Sequence, residues 1–446
     1  MKKDLTQGNV TSNLLLFAGP MILGNLLQQF YNIADTLVVG RVLGPDALAA
    51  VGSAYTLMTF LTSILIGMAM GSGALFSYYF GRKEEARMKS CMRLSFLLIG
   101  GVTVALNLLV MAFCRPILRL LQTPPQLMEM MHSYVWIIFT GLVFVFLYNY
   151  FAYLLRAVGN SVVPLYFLGS TALLNIILDL VFVIVFRWGI AGAAAATVMA
   201  QAVSGIGLMA YTWIKEPKLR FHRRERSGEK ASLAEILRFA FSSSVQQSVM
   251  NFGILMIQGL VNSFGPVVMA AFAAAVKIDS FAYMPAQEFG NAFSLFISQN
   301  HGAGREDRVK LGMKSALKVS MAFCLAVSLL IFLFAPYLMM LFVSPGETEI
   351  IAVGVGYLQI EGAFYCGIGI LFLLYGYYRG INRPEMSLVL TVISLGTRVL
   401  LAYLLAPLPG IGVYGIWSAI PIGWILADAA GLAYMRKPAD SRGKSI

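Results

Sequence analysis

Ser77-Tyr78-Tyr79-Phe80-Gly81-Arg82-Lys83-Glu84-Glu85-Ala86-Arg87-Met88-Lys89 is answered 221 residues later by Ser298-Gln299-Asn300-His301-Gly302-Ala303-Gly304-Arg305-Glu306-Asp307-Arg308-Val309-Lys310. Ser, Gly, Glu, Arg and Lys recur in one ungapped register. Upstream, the same register sets Gly44-Pro45 on Gly265-Pro266, Ala49-Ala50 on Ala270-Ala271 and Phe60 on Phe281; downstream it sets Met92 on Met313. At an offset of 223, Arg156 falls on Arg379, Gly189-Ile190-Ala191-Gly192 on Gly412-Val413-Tyr414-Gly415, and Ala210-Tyr211 on Ala433-Tyr434. A register held from loop through helix to loop is the mark of internal duplication.

Hydrophobic residues make up 59% of the chain and charged ones 12%, with a mean hydropathy of +0.76. That balance is a membrane composition. Segments of roughly 20 apolar residues cross a hydrocarbon core about 30 Å thick. Twelve are predicted, at 13–39, 47–73, 91–114, 132–155, 162–186, 190–213, 239–262, 269–297, 315–341, 352–378, 386–406 and 411–435. Backbone groups in lipid must bond internally, so these segments are helices. The expected fold is an all-α polytopic membrane protein of twelve transmembrane helices in two pseudo-symmetric six-helix lobes, 1–214 and 238–446, joined by a cytoplasmic linker at 215–237. Six is even, so the lobes share an orientation, the arrangement of carriers that alternate access between two bundles.

Lysines and arginines give the direction. With the N-terminus inside, 27 of them fall in inner segments and 4 outside, with Lys277 and Arg398 left within helices. This places both termini in the cytoplasm of a multi-pass plasma (inner) membrane protein. It also accounts for the net charge of +12 without nucleic acid. The leader 1–12 runs into a span too long and too polar for a cleaved signal peptide, so a retained helix is expected. Cys91, Cys114, Cys324 and Cys366 lack metal-ligand spacing and are expected as free buried thiols. His132, His222 and His301 are scattered at segment ends, so neither an enzyme nor a cofactor is expected. Duplicated lobes without a repeated filter motif argue against a channel.

In the first span, Gln28, Tyr31, Asn32 and Asp35 recur three and four apart, drawing a polar stripe along an apolar rod. Asn175 and Asp179 are four apart in the fifth span. At about 1.5 Å per residue both aspartates lie at similar depth toward the outer leaflet. A carboxylate in a membrane interior is a functional candidate by default. Two facing one pocket do not both ionise cheaply, so a shared proton or a bound cation is expected between them.

Pro20 followed by Gln28-Gln29-Phe30-Tyr31-Asn32-Ile33-Ala34-Asp35, with the paired segments around Gly81 and Gly302, resembles the multidrug and toxic compound extrusion family over essentially the whole chain. The resemblance implies an exporter of small amphipathic or cationic drug-like compounds, driven by antiport of H⁺ or Na⁺ and working as a monomer in contact with membrane lipid. It further implies an amino-terminal cation site at Asp35, Asn175, Asp179 and Thr197, the oxygen set that would hold Na⁺, with Tyr31 one turn before the acid. Asn149 on the fourth span is a further coupling candidate. Both ions use the same oxygens, so the sequence leaves the ion open.

The second lobe departs from the branch of the family that couples there. Its seventh span offers only the amides Gln246, Gln247, Asn251 and Gln258, of which Gln247 and Asn251 join Gln28 and Asn32 as cavity candidates. Glu361 on the tenth span is either a cavity group or the structural partner of Arg398, which stands at the repeat equivalent of Asn175. The eighth span carries Lys277, Asp279 and Glu288 about Pro285: Lys277 with Asp279 is expected as an anchoring pair, and Glu288 as a contact for cationic substrate. Pro20 removes a helix hydrogen bond and makes the first helix easy to bend. A major-facilitator carrier is disfavoured because Gly81–Arg87 lacks that family's Gly-x-x-x-Asp-Arg pattern. A lipid-linked oligosaccharide flippase of the same superfamily is the alternative, and would call for a more cationic cavity.

Overall fold

The computed structural model describes residues 4–120, 123–220 and 229–436. Fourteen α-helices follow one another: α1 (Val10–Leu43), α2 (Pro45–Arg82), α3 (Glu85–Leu120), α4 (Met128–Thr140), α5 (Leu142–Ala157), α6 (Val162–Asp179), α7 (Gly189–Lys215), α8 (Glu229–Asn262), α9 (Pro266–Gly302), α10 (Glu306–Met339), α11 (Thr348–Ala363), α12 (Tyr365–Gly380), α13 (Pro384–Leu405) and α14 (Val413–Arg436). Among the described residues, nine are single helices long and apolar enough to cross a membrane. The expected fourth and tenth spans are each broken, α4 with α5 by 43° and α11 with α12 by 53°. The expected seventh span, α8, is 34 residues long but falls short in hydropathy, because Gln246, Gln247, Asn251, Gln258 and Asn262 interrupt its apolar face. The fifth span is α-helical only to Asp179; Leu180–Val185 continues as a π-helical turn.

The duplication is written into the backbone. Gly141 and Phe364, where the two bent pairs break, stand 223 residues apart. Left-handed residues also recur in pairs at the repeat offsets: Gly44 with Gly265, Lys83 with Gly304, Gly159 with Asn382, Arg187 with Gly410 and Gly189 with Gly412. Gly44 (φ 88°, ψ −178°) and Gly265 (φ 95°, ψ 176°) occupy a region that a Cβ makes costly, and each precedes a proline that opens the next helix. Each turn hands the chain from one long helix to the next.

The chain divides into two compact units. The first is built on Gly19–Ser244 and the second on Thr6–Ala18 with the segment from Val245 onward. α1 and α8 therefore each begin in one unit and continue in the other. Of the expected linker, residues 221–228, with His222, Ser227 and Gly228, lie outside the described residues, as do the charges at Lys2, Lys3 and beyond Arg436. Lys215 closes α7, and Arg220 donates back to the Trp213 carbonyl at 2.6 Å.

Each unit has its own core. In the first, Phe96, Phe146, Tyr150 and Phe151 pack edge to face and tilted at 5.2–6.2 Å, and the Tyr150 hydroxyl donates to the Met92 carbonyl at 2.6 Å. In the second, Phe272 stacks on Trp417 at 5.3 Å and Tyr357 meets the same indole edge-on at 4.9 Å. Lipid offers no hydrophobic drive between helices, so close approach at small residues does this work. α2 meets the first half of α8 at Gly67 and Gly71: a Cβ at Gly71 would lie 2.3 Å from the Phe239 carbonyl oxygen. The Tyr79 hydroxyl donates to Glu235 across the same seam. Cys91, Cys114 and Cys324 are buried free thiols, as expected; Cys366 is only half-buried.

Gly71→Ala is expected to push α8 off α2 at a cost of about 1–3 kcal/mol, the usual range for overpacking. In detergent its thermal midpoint falls by about 3–10 °C. Gly101→Ala, where a Cβ meets nothing within 4 Å, leaves the midpoint within about 2 °C. Equal midpoints for the two variants would refute the close seam.

Candidate cation and ligand sites

In the first unit, α1 and α6 bring Asp35 and Asp179 together within hydrogen-bond reach of each other. Helical spacing sets Asn175 one turn before Asp179 on the same face, and both are buried, Asp179 completely. Neither oxygen of Asp179, nor Oδ1 of Asp35, nor either amide atom of Asn175 finds a hydrogen-bond partner. Two carboxylates are both acceptors, so contact between them satisfies nothing until a proton or a cation enters. Leaving such atoms bare in a low dielectric costs several kcal/mol. The donor set is all hard oxygen, which fits a proton or a hard monovalent cation equally. The π-helical turn starting at Leu180 re-aims the backbone right after Asp179, a feature that recurs at functional sites.

Tyr134 of α4, 4% exposed, is close enough to feel both acids electrostatically, as Tyr31 is to feel Asp35. Tyr134 was not singled out from the sequence. Its signal was there: it lies 223 residues before Tyr357, which attends the acids of the other unit. Thr197 is half-buried on α7 and gives its proton to the Ala193 carbonyl at 3.1 Å, keeping its lone pairs as acceptors. The Asn149 amide donates to the Val145 carbonyl at 2.9 Å on its own helix. Gln28 is exposed and Asn32 half-buried.

The second unit holds a cavity of about 100 Å³ lined by residues of α8, α9, α11, α12, α13 and α14. Asp279, Glu361 and Arg398 line it among Phe272, Tyr283, Phe372 and Trp424. Asp279 accepts hydrogen bonds from Tyr365 at 2.7 Å and Tyr357 at 3.3 Å. Both oxygens of Glu361, 1% exposed, lack a partner, as does Nε of Arg398.

Two expected pairings are corrected here. Lys277 does not anchor Asp279: it is exposed, with its ammonium 5.9 Å from the centre of the Phe342 ring, because neighbours two apart on a helix point to different sides. Glu361 and Arg398 do not form a direct ion pair either; Arg398 acts on Asp279 and Glu361 electrostatically from beyond 4.0 Å. Glu288 is half-buried outside the cavity and takes a hydrogen bond from Asn291 at 3.3 Å. Gln247 and Asn251 are half-buried on α8, while Met250 and Ile254 of that helix line the cavity. Gln246 is buried and accepts from Arg379 at 3.1 Å. His301 has its Nδ1 2.7 Å from Glu306 at the turn between α9 and α10. No group of three or more metal-ligating side chains occurs among the described residues. Asp428 on α14, unnoticed in the sequence, is a further buried acid whose Oδ1 has no partner.

The sequence profile of the MatE family matches residues 20–181 and 240–404, one stretch in each repeat. The chain is 33% identical to "Probable multidrug resistance protein YpnP" of Bacillus subtilis over 97% of its own length and 96% of that protein's. It is 28% identical to "Probable multidrug resistance protein YoeA" of the same organism over 94% and 92%. A crystal structure of MATE in complex with MaL6 superposes with a TM-score of 0.92 over 99% of each chain at 23% identity, and so shares the fold. A profile matched in both halves, identity sustained along nearly the full length of a relative, and a common fold together establish that the chain belongs to the MatE family of membrane transporters.

Proposed function

We propose that the protein is a secondary active multidrug exporter that antiports amphipathic or cationic compounds against H⁺ or Na⁺ by alternating access of its two units. The observation that carries this reading is half-buried Asp35 beside the buried Asp179 and Asn175, a cluster in which both Asp179 oxygens, Oδ1 of Asp35 and the Asn175 amide find no hydrogen-bond partner. A site that must take up a cation to be neutralised, and give it up to be recharged, can tie a gradient to a conformational cycle. We assign Thr197, Tyr31, Tyr134 and Asn149 to the same site, with Asn175 one turn before Asp179. The protein works as a monomer in the inner membrane with both termini cytoplasmic, and the names of its relatives support drug export as the activity. Among the ionisable groups of the second unit's cavity, acids outnumber the single arginine. That favours cationic cargo over the pyrophosphate of a lipid-linked oligosaccharide.

Pro20 stands where α1 passes from one unit to the other, immediately after Ala18 and Gly19. We read it as the bend through which occupancy of Asp35 changes the shape of the helix. Glu288, Gln247, Asn251, Gln28 and Asn32 are candidate contacts for cargo along the pathway.

Proteoliposomes loaded with a fluorescent lipophilic cation test the proposal under an imposed pH or Na⁺ gradient. The wild type is expected to export under one of the two, and Asp35→Asn and Asp179→Asn each to reduce export to the level of empty liposomes. Full export by either variant would remove the acid pair from the mechanism. In the same assay Pro20→Ala is expected to slow export while retaining cation binding at the acids; an unchanged rate would dismiss the bend.

A further inference from the structure

Comparing the units position by position shows that their charged groups have been exchanged. Asp35 and Asp179 correspond at the repeat offsets to Met256 and Ala402, whereas Asp279, Glu361 and Arg398 correspond to Met58, Ile138 and Asn175. Only the flanking tyrosines, Tyr134 and Tyr357, are kept. The first unit thus presents acids with no cation of its own, and the second presents acids with a guanidinium built in.

The second cavity is satisfied in part. Asp279 is served by two tyrosine hydroxyls, but Glu361 has no donor for either oxygen and Arg398 no acceptor for Nε, and the two do not reach each other. Both oxygens of Glu361 and the Nε of Arg398, all without a partner, therefore line one aromatic-walled cavity of about 100 Å³, room for the charged end of a small ligand. We propose that this cavity is a binding site for an amphipathic zwitterion. The ligand's ammonium bonds Glu361, its carboxylate or other anionic group bonds Arg398, and its apolar body rests against Phe272, Tyr283 and Trp424. Each contact is charge-assisted and replaces a bare buried atom, which is where hydrogen bonding is strongest. The inference rests on the export reading only in treating that ligand as cargo; the site itself stands or falls on binding.

Three probes sharing one fluorophore separate the contacts: Nε-dansyl-lysine, a zwitterion; its methyl ester, which keeps only the ammonium; and its Nα-acetyl derivative, which keeps only the carboxylate. Dansyl emission is read on the purified full-length protein in detergent with no gradient, so a failure of coupled transport cannot be mistaken for a failure of this site. The wild type is expected to bind the zwitterion about ten- to a hundredfold more tightly than either derivative. Arg398→Gln erases the advantage over the ester while leaving the ester's own affinity unchanged, and Glu361→Gln erases the advantage over the acetyl derivative. Equal affinity of the wild type for zwitterion and ester, or no binding of the zwitterion, would overturn the proposal without recourse to any variant.

Discussion

Two carboxylates held side by side in a membrane interior, with no donor between them, are the constraint around which the first unit is organised. Water would settle Asp35 and Asp179 at little cost; lipid and packed helices do not. In our proposal a proton or a metal cation from outside completes the pair. A fold that supplies every donor from within would have a stable acid pair and nothing to couple. In the proposed exporter, the missing donor is the point at which an ion gradient acts on the protein.

The surrounding architecture follows from bringing long helices together without a hydrophobic drive between them. Gly67 and Gly71 let α2 run against the start of α8, and Gly290 and Gly376 let α9 meet α12 with backbone nearly on backbone. Glycine–proline turns at Gly44 and Gly265 start the following helices from the same backbone conformation in each repeat. The breaks at Gly141 and Phe364 bend the fourth span of each half, and the tyrosines that attend the acids, Tyr134 and Tyr357, both sit seven residues before the break. The two halves of the duplicated scaffold carry different charges at equivalent positions: two acids without an arginine in one, two acids with Arg398 in the other.

Much of this was legible in the sequence. Duplication, helical class and the positions of Asp35, Asn175 and Asp179 followed from register, hydropathy and spacing, because those depend on local periodicity. What was not legible depends on neighbours across helices. Lys277 and Asp279 read as a pair from their nearness in sequence, yet two residues on a helix turn a side chain to another face. Glu361 and Arg398 read as partners from opposite charge, yet α11 and α13 hold them apart on one cavity wall. The breaks in the fourth and tenth spans were hidden because hydropathy continues unbroken through them. Tyr134 escaped notice since a tyrosine in an apolar run resembles packing until its repeat partner is placed beside an acid.

The central claim is that Asp35 and Asp179 take up a cation as a unit, and infrared difference spectroscopy of the purified protein tests it most directly. Cycling pH, and then Na⁺ at fixed pH, should produce a carboxyl carbonyl band that reports a shared proton lost on alkalinisation or displaced by Na⁺, and Asp179→Asn should lose that band. A difference spectrum identical in wild type and Asp179→Asn under both cycles would contradict the account.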